Sequence, residues 1–409
     1  MDFRTAQALD RWLGIPACFF LSLYDTLRAF FFRGKITGGP DPEKILFIGL
    51  SEIGSNVLAF GAVAAVRDMF PKAELYFLTF EENQEVLEVL GVAEANNVFT
   101  LRNGGLWALF SDTMRFVRAA RRERIDTVVD LELFSRFSAI LACMSGARVR
   151  SGFDGFGVKG LYRGDLLTHR VQFNQQRHIS ENFLALVRSL KESPSERPLL
   201  KEPLPRERAA PLRHVTDPSA ATRVREKLRS AGASIPPGEK IVILNLETGT
   251  RLPLRSWPLQ NYKALAEKLQ ALPDVWVVVI GRKKTGSSFP ERDWRCVDLT
   301  GGTSIKELVD LFRISRVLVS HDSGAVHLAS LTDIEKVVLF GPETPLLYGP
   351  LGGHSRIITR DLFCSPCLSS FNYRNSVCRD NRCMTAISVE EVFQAVRDLL
   401  DRAAAQEGG

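Results

Sequence analysis

An α/β protein made of two doubly wound parallel sheets is what this sequence predicts, and three observations predict it. Short apolar strands alternate with helical segments along most of the chain; the alternation lapses in a proline-rich stretch and then restarts; and several strands are apolar without interruption. Alternating strands and helices imply parallel β-α-β connections, and a strand apolar on both faces belongs in a sheet covered on both sides. At 409 residues the chain is too long for one ordinary core, which agrees with two domains.

Residues 1–40 differ from everything that follows. Trp12 to Phe32 is apolar and aromatic, flanked by Arg11, Arg33 and Lys35 and interrupted by Pro16, Asp25 and Arg28. A spanning helix needs about 20 mostly apolar residues, and charges inside lipid are expensive. A helix lying in the membrane interface, with Phe and Leu down and basic ends on anionic lipid, is therefore expected here. The alternative is a helix packed on the protein's own surface.

Residues 41–205 are expected to form the first domain. Lys44-Ile-Leu-Phe-Ile-Gly-Leu50 reads as a strand, followed by a turn at Gly54, a long Ala/Val-rich helix ending before Pro71, and a strand at 74–80. The pattern recurs with a strand at 125–131 and a helix from Ser138 to Ser145. Between about 191 and 219 the chain is rich in Pro, Ser, Arg and Glu and reads as a linker. Residues 206–385 restart the alternation, with strands at 240–245, 275–280, 316–320 and 336–340 and helices opening at Trp257-Pro258 and Ser304. Residues 386–409 complete the chain with a helix and tail. Two such Rossmann-like halves facing a central cleft make the architecture called GT-B.

The 53 Lys+Arg against 47 Asp+Glu leave a net charge of +6, and the sequence pI is near 9.0. So mild an excess suits a phosphate-bearing ligand or an anionic membrane surface. No zinc finger, homeodomain-like helix or aromatic RNA-binding strand accompanies it, which argues against nucleic acid. No cleavable secretory signal is read at the start, so a cytoplasmic protein is expected, peripheral on the inner face of the inner membrane. Cys18, Cys143 and Cys296 sit singly in apolar or mixed segments and read as structural thiols.

The most informative segment is Val319-Ser-His-Asp-Ser-Gly-Ala-Val-His-Leu-Ala-Ser330, where a buried strand ends at His321-Asp322 and a helix begins near Ser323-Gly324. Ligands of open α/β sheets sit at the carboxyl ends of the strands. Ser323 and Gly324 would offer backbone N–H groups to a diphosphate, and His327, four residues on, shares the helix face of Ser323. Read blandly, Asp322 or Ser323 caps the helix and His327 packs in the core. The loop Phe340-Gly341-Pro-Glu-Thr-Pro345 leaves a neighbouring strand toward the same edge, so Gly341 is a further candidate. So are Arg251 and Arg255, in the loop between 246 and 258, since guanidinium pairs with phosphate and can neutralise a departing diphosphate.

The segments "SHDSGAVHLAS", "LFGPETPLLYGPLG", "LRSWPLQNYKALAEKL" and "LTGGTSIKELVDLFRISRVLVSHDSG" resemble the C-terminal half of glycosyltransferase family 9, the ADP-heptose:lipopolysaccharide heptosyltransferases. The N-terminal segments "KILFIGLSEIGSNVLAFGAVAAVRDMFPKAELYFLTF" and "DLELFSRFSAILACMSGARVRSGFDG" are similar more loosely. The resemblance implies inverting transfer that needs no metal or cofactor. The nucleotide-sugar donor, ADP-heptose or similar, lies in the C-terminal domain, and the N-terminal domain presents a lipid-linked or lipopolysaccharide-core acceptor. Asp322, Ser323, Gly324 and His327 would hold the donor, and Arg255 would stabilise the leaving group.

One departure stands out. Where the family usually reads Gly-Asp after the first strand, with that Asp as general base, this chain reads Gly54-Ser55. A serine takes no proton at neutral pH, so Glu52, in the same loop, is the candidate base; its bland role is a surface or capping carboxylate. Gly281-Arg-Lys-Lys284 is basic where the family often has an acidic residue facing the donor, which leaves the donor sugar open. The late cysteines Cys364, Cys367, Cys378 and Cys383 are spaced as a structural zinc site could be, with reduced thiols or a disulfide as the alternatives. The rival to an enzyme is a catalytically silent binding protein of envelope assembly. A nucleotide-sugar epimerase or hydrolase ranks behind both, because no cluster of acidic residues can be placed for it.

Overall fold

The computed structural model describes residues 10–32, 41–50, 52–194, 196–201, 219–246, 252–282, 295–352 and 355–407. Arg251, Lys283, Lys284 and most of the expected linker lie outside the described residues. The chain divides into two compact units, residues 1–209 and 210–409.

In the first unit a six-stranded sheet has the order β3-β2-β1-β4-β5-β6. Its strands are β1 (Lys44–Ile48), β2 (Glu74–Phe80), β3 (Val98–Leu101), β4 (Thr127–Asp130), β5 (Val149–Asp154) and β6 (His169–Gln172), and every pair is parallel. Ile45 to Ile48 are wholly buried, as a strand covered on both faces must be. The helix expected between Gly54 and Pro71 is two helices, α2 (Ile53–Leu58) and α3 (Phe60–Met69), separated only by Ala59, which keeps a helical φ of −79°. After β2 comes α4 (Gln84–Leu90); α5 (Leu106–Glu123) and α6 (Arg136–Met144) follow β3 and β4 and touch each other. On the opposite face α3 meets α7 (Ile179–Arg188).

The N-terminal helix α1 (Gly14–Phe32) packs on α6. Its inward side is small and polar. Cys18 is fully buried, which pushes its thiol up to about 11, and the Ser22 hydroxyl accepts from the Asp165 N–H at 2.8 Å. Gly164 makes this approach possible: at φ +65° it adopts a left-handed conformation, and a Cβ there would stand 2.8 Å from the Cys18 carbonyl oxygen. Two carboxylates fix the segment, one ahead of the helix and one in its middle. Asp10 pairs with Arg136 at 3.2 Å and Asp25 with Arg150 at 2.6 Å, both arginines being buried. Asp25 therefore does not interrupt the apolar outer face. No described helix is long and apolar enough to cross a membrane.

The second unit carries β7 (Lys240–Asn245), β8 (Val275–Ile280), β9 (Cys296–Asp298), β10 (Val317–His321), β11 (Glu335–Leu339) and β12 (Ser355–Ile358), in the order β12-β11-β10-β7-β8-β9, again all parallel. Its helices are α8 (Ala220–Ser230), α9 (Leu259–Gln270), α10 (Ile305–Arg313), α11 (Gly324–Ala329), α12 (Pro345–Tyr348), α13 (Arg382–Thr385) and α14 (Val389–Glu407). α10 starts with a capping box: the Ser304 hydroxyl accepts from the Glu307 N–H and the Glu307 carboxylate accepts from the Ser304 N–H. β7, α9, β8 and α14 share one core that includes Trp257, Tyr262 and Val396.

Lys336, on β11, is fully buried with its ammonium donating to the Ile334 carbonyl at 3.1 Å, and burial pulls its pKa down to about 8. Between about 8 and the ordinary value of 10.5 the unfolded chain holds a proton that the folded chain has shed. The destabilisation is therefore fully present below that window and shrinks as pH rises through it. Lys336→Met is expected to raise the unfolding free energy at pH 7 by roughly 1–3 kcal/mol and by much less at pH 10, as measured by denaturant titration at the two pH values.

Candidate active site

In each sheet the strand order reverses once, between β1 and β4 and between β7 and β10. At such a point the exit loops diverge in opposite directions and leave a crevice at the carboxyl edge. Glu52, Gly54 and Ser55 follow β1 and Asp322, Ser323, Gly324 and His327 follow β10, at these two places.

At the end of β7, the Asn245 side-chain amide donates to the Ser320 hydroxyl at 3.0 Å and to the Ser323 hydroxyl at 2.9 Å, and the two hydroxyls lie 3.1 Å apart. Ser323 is the N-cap residue of α11, but its side chain makes no capping bond. The Ser323 hydroxyl accepts across the sheet edge from Asn245, so the bland reading of Ser323 as a helix cap does not hold. Gly324 opens α11, and His327, 5% exposed, lies one turn in.

Arg255 ends a short 3₁₀ turn, Pro253–Arg255, and reaches the Asp322 carboxylate at 3.0 Å; the two side chains are 12% and 6% exposed. A largely dehydrated ion pair of this kind costs much if one member is removed. His321, next in the chain to Asp322, turns away toward the core, where its Nδ1 lies 3.3 Å from the Tyr262 hydroxyl. Tyr262 stands edge-on to Trp257, whose indole N–H donates to the Ile387 carbonyl at 3.0 Å.

Gly341 has a packing role here. A Cβ on it would come within 2.6 Å of the Met384 sulfur and 2.9 Å of the Cys383 sulfur, so a glycine is what lets α13 close on the β11 exit loop. The next residues bring charge. Buried Glu343 pairs with Arg374 at 3.4 Å, and the Arg374 guanidinium sits 5.3 Å from the centre of the Tyr348 ring. Burial pushes the Tyr348 hydroxyl up; Arg374 opposes this, and Glu343 and Asp322 add to it, so Tyr348 lies in electrostatic reach of both ion pairs. Sequence reasoning missed Arg374, Tyr348 and Asn245. Asn245 had a signal, being the polar end of an apolar strand at the order reversal; Arg374 had none.

The four late cysteines lie in one segment, with Cys364, Cys367 and Cys378 all close enough to act on Cys383. Among the described residues no three His, Cys, Asp or Glu side chains are placed to hold a metal ion. Cys364 is exposed, Cys367 and Cys378 are half-buried and Cys383 is buried, its thiol pushed up first by burial and then by the nearby cysteines. The segment fastens the two exit loops. The Cys367 and Leu368 N–H groups both donate to the Pro342 carbonyl, at 3.0 and 2.9 Å. The Asn381 side-chain amide donates to the carbonyls on either side of Arg255, those of Leu254 and Ser256, at 3.2 and 3.3 Å.

At the reversal in the first sheet, Glu52 is the half-buried N-cap residue of α2, without a side-chain capping bond. Its carbonyl accepts from the Ser55 N–H at 3.0 Å, while Gly54 is buried and Ser55 half-buried. A second carboxylate stands at this edge that the sequence did not suggest. Glu132, 8% exposed, accepts from the Leu50 N–H at 2.7 Å and so ties the β4 exit to the β1 exit.

The model of glycosyltransferase family 9 (heptosyltransferase) matches residues 113–376, more than half of the chain. The chain belongs to glycosyltransferase family 9. Lipooligosaccharide heptosyltransferase 2 of Haemophilus influenzae is 32% identical over 115 residues, which are 26% of this chain and 33% of that protein. The match thus spans about a third of that relative's length. Among solved structures, ADP-heptose lipopolysaccharide heptosyltransferase II of Escherichia coli aligns with a TM-score of 0.68 at 18% identity, covering 88% of this chain and 99% of that one. A family 9 glycosyltransferase from Veillonella parvula aligns with a TM-score of 0.66 at 17% identity, covering 88% and 97%. The fold of the family 9 chain is therefore GT-B, two parallel α/β units.

Asn381→Ala removes both bonds that brace the Arg255 turn. Amide exchange at residues 254–256 is expected to speed up by about tenfold while the β10 amides keep their protection, as read by hydrogen-exchange mass spectrometry.

Proposed function

We propose that this family 9 chain is an inverting glycosyltransferase that moves a sugar, heptose or a relative, from a nucleotide-diphosphate donor to a lipid-linked or lipopolysaccharide-core acceptor. The observation that carries the donor half is the Arg255–Asp322 pair beside Ser323 at the order reversal of the second sheet. Ser323, Gly324 and His327 contact the donor's diphosphate and sugar. Arg255, already aimed at this edge by its turn, exchanges Asp322 for the growing charge of the diphosphate as the bond to the anomeric carbon breaks. A similar protein bears ADP-heptose in its name, which makes that donor the first to test.

In the same step an acceptor hydroxyl oxygen bonds to the anomeric carbon from the face opposite the departing diphosphate. Its proton goes to a carboxylate of the first unit. We assign that carboxylate to Glu52, because Ser55 cannot serve as a base and Glu52 stands in the same exit loop. The work takes place at the cytoplasmic face of a membrane, where acceptors of this kind are embedded.

A silent binding protein with an intact donor pocket is the second reading, and Ser55 is the observation that favours it. Thermal-shift measurements with ADP, UDP, GDP and their sugar conjugates separate the possibilities. One nucleotide family is expected to raise the melting temperature of the wild type, and Arg255→Ala is expected to lose most of that shift. No shift with any nucleotide would remove the donor site as assigned, and a shift without turnover on lipid-linked acceptors would favour the silent reading. With turnover in hand, Glu52→Gln is expected to lower kcat by about 10²–10⁴-fold and Ser55→Asp to bring no gain. Full activity of Glu52→Gln would exclude it as base.

A further inference from the structure

Two exposed apolar surfaces of the first unit find no use in the donor or acceptor chemistry. On α1, Trp12 and Leu13 just before the helix and Phe19, Phe20, Leu23, Tyr24 and Leu27 along it are each about half or more exposed. On α5, Leu106, Trp107 and Phe110 are exposed by 60, 81 and 55%, with the Trp107 and Phe110 rings stacked 5.7 Å apart. We propose that these two surfaces form one membrane-seating face of the unit, with an anionic phospholipid bilayer as its occupant. This inference rests on the membrane part of the proposed function and names the surface that performs it.

Topology puts the two on the same side. α5 and α6 touch one another on one face of the sheet, and α1 lies over α6. Gly14 approaches Arg136, the first residue of α6, so α1 enters at the carboxyl edge of the sheet. That is the edge from which α5 also departs, with Leu106 and Trp107 in its first turn.

Charge decides the occupant. Both acids of the α1 segment are turned inward, Asp10 to Arg136 and Asp25 to Arg150, which leaves its described outer face without negative charge. Arg11, Arg118 and Arg122 are exposed, the last two on the outward stripe of α5 that continues from Trp107. Of the two acids on α5, Asp112 is buried between Arg102 and Arg115 and Glu123 is bonded to Lys44. Aromatic rings flanked by guanidinium groups match the headgroup layer of an anionic leaflet. A second copy of this chain would set arginine against arginine.

Co-sedimentation of the full chain with phosphatidylcholine vesicles, with and without phosphatidylglycerol, tests this. Binding is expected with phosphatidylglycerol, weakened by salt. It should fall at least about tenfold in Phe20→Ser/Leu23→Ser and also in Trp107→Ser/Phe110→Ser, with the wild-type melting temperature kept in both variants. Wild-type chain that stays in the supernatant overturns the proposal. So does an α5 variant that binds like the wild type, and so does a dimer in lipid-free solution that these substitutions dissociate. The nucleotide thermal shift is read separately on the same variants, so failure of the seating face and failure of the donor site are distinguishable.

Discussion

Parallel pairing is the constraint on which this molecule depends. Each strand of the two sheets runs the same way as its neighbours, so every loop that leaves a strand's end emerges at one edge. Polar side chains become tolerable where the apolar ladder stops, and in the second unit they collect there: Asn245 at the end of β7, Ser320 to Ser323 at the end of β10, Glu343 just past β11. Without that common edge, residues some 75 positions apart, such as Asn245 and Ser320, could not share hydrogen bonds. The pairing thus builds a polar rim on an apolar slab, and the order reversal parts the rim where a ligand can enter.

Charge at that rim is organised in pairs. Arg255 with Asp322 and Arg374 with Glu343 each place a guanidinium and a carboxylate where neither is well hydrated. Such pairs hold their loops in one arrangement and keep a positive group in reserve. The late cysteine segment belongs to the same scheme, because its backbone and Asn381 brace the turns that carry the charged residues. Its sulfur atoms contribute packing, with Cys383 set against Gly341.

The fold was legible in the sequence because strands buried on both faces leave an unmistakable mark, as Ile45 to Ile48 and Ile241 to Leu244 do. Loops with a motif were legible too: Asp322 and Arg255 could be expected at one edge before any coordinates. What stayed hidden were contacts that depend on which loops become neighbours. Arg374 is an ordinary arginine in a loop with no pattern, and only the fold brings it to Glu343. The spacing of Cys364 to Cys383 did not say which backbone the segment would meet, such as the Pro342 carbonyl that the Cys367 and Leu368 N–H groups reach. Gly341 was a candidate for the edge its loop faces, and nothing in the sequence showed that the Met384 and Cys383 sulfur atoms would pack against it.

The N-terminal helix gives up its two carboxylates to arginines that the domain itself has buried. Arg136 and Arg150 are 1% and 2% exposed at the side chain, so their counter-ions come from a segment that the alignment of motifs leaves out. Lifting that helix away would strand two cations in a dry interior, which is far costlier than baring apolar surface alone. The segment from Asp10 through α1 is therefore a piece of the domain's foundation. A shortened form lacking that segment would have to find new neutralising partners before it could fold as this one does.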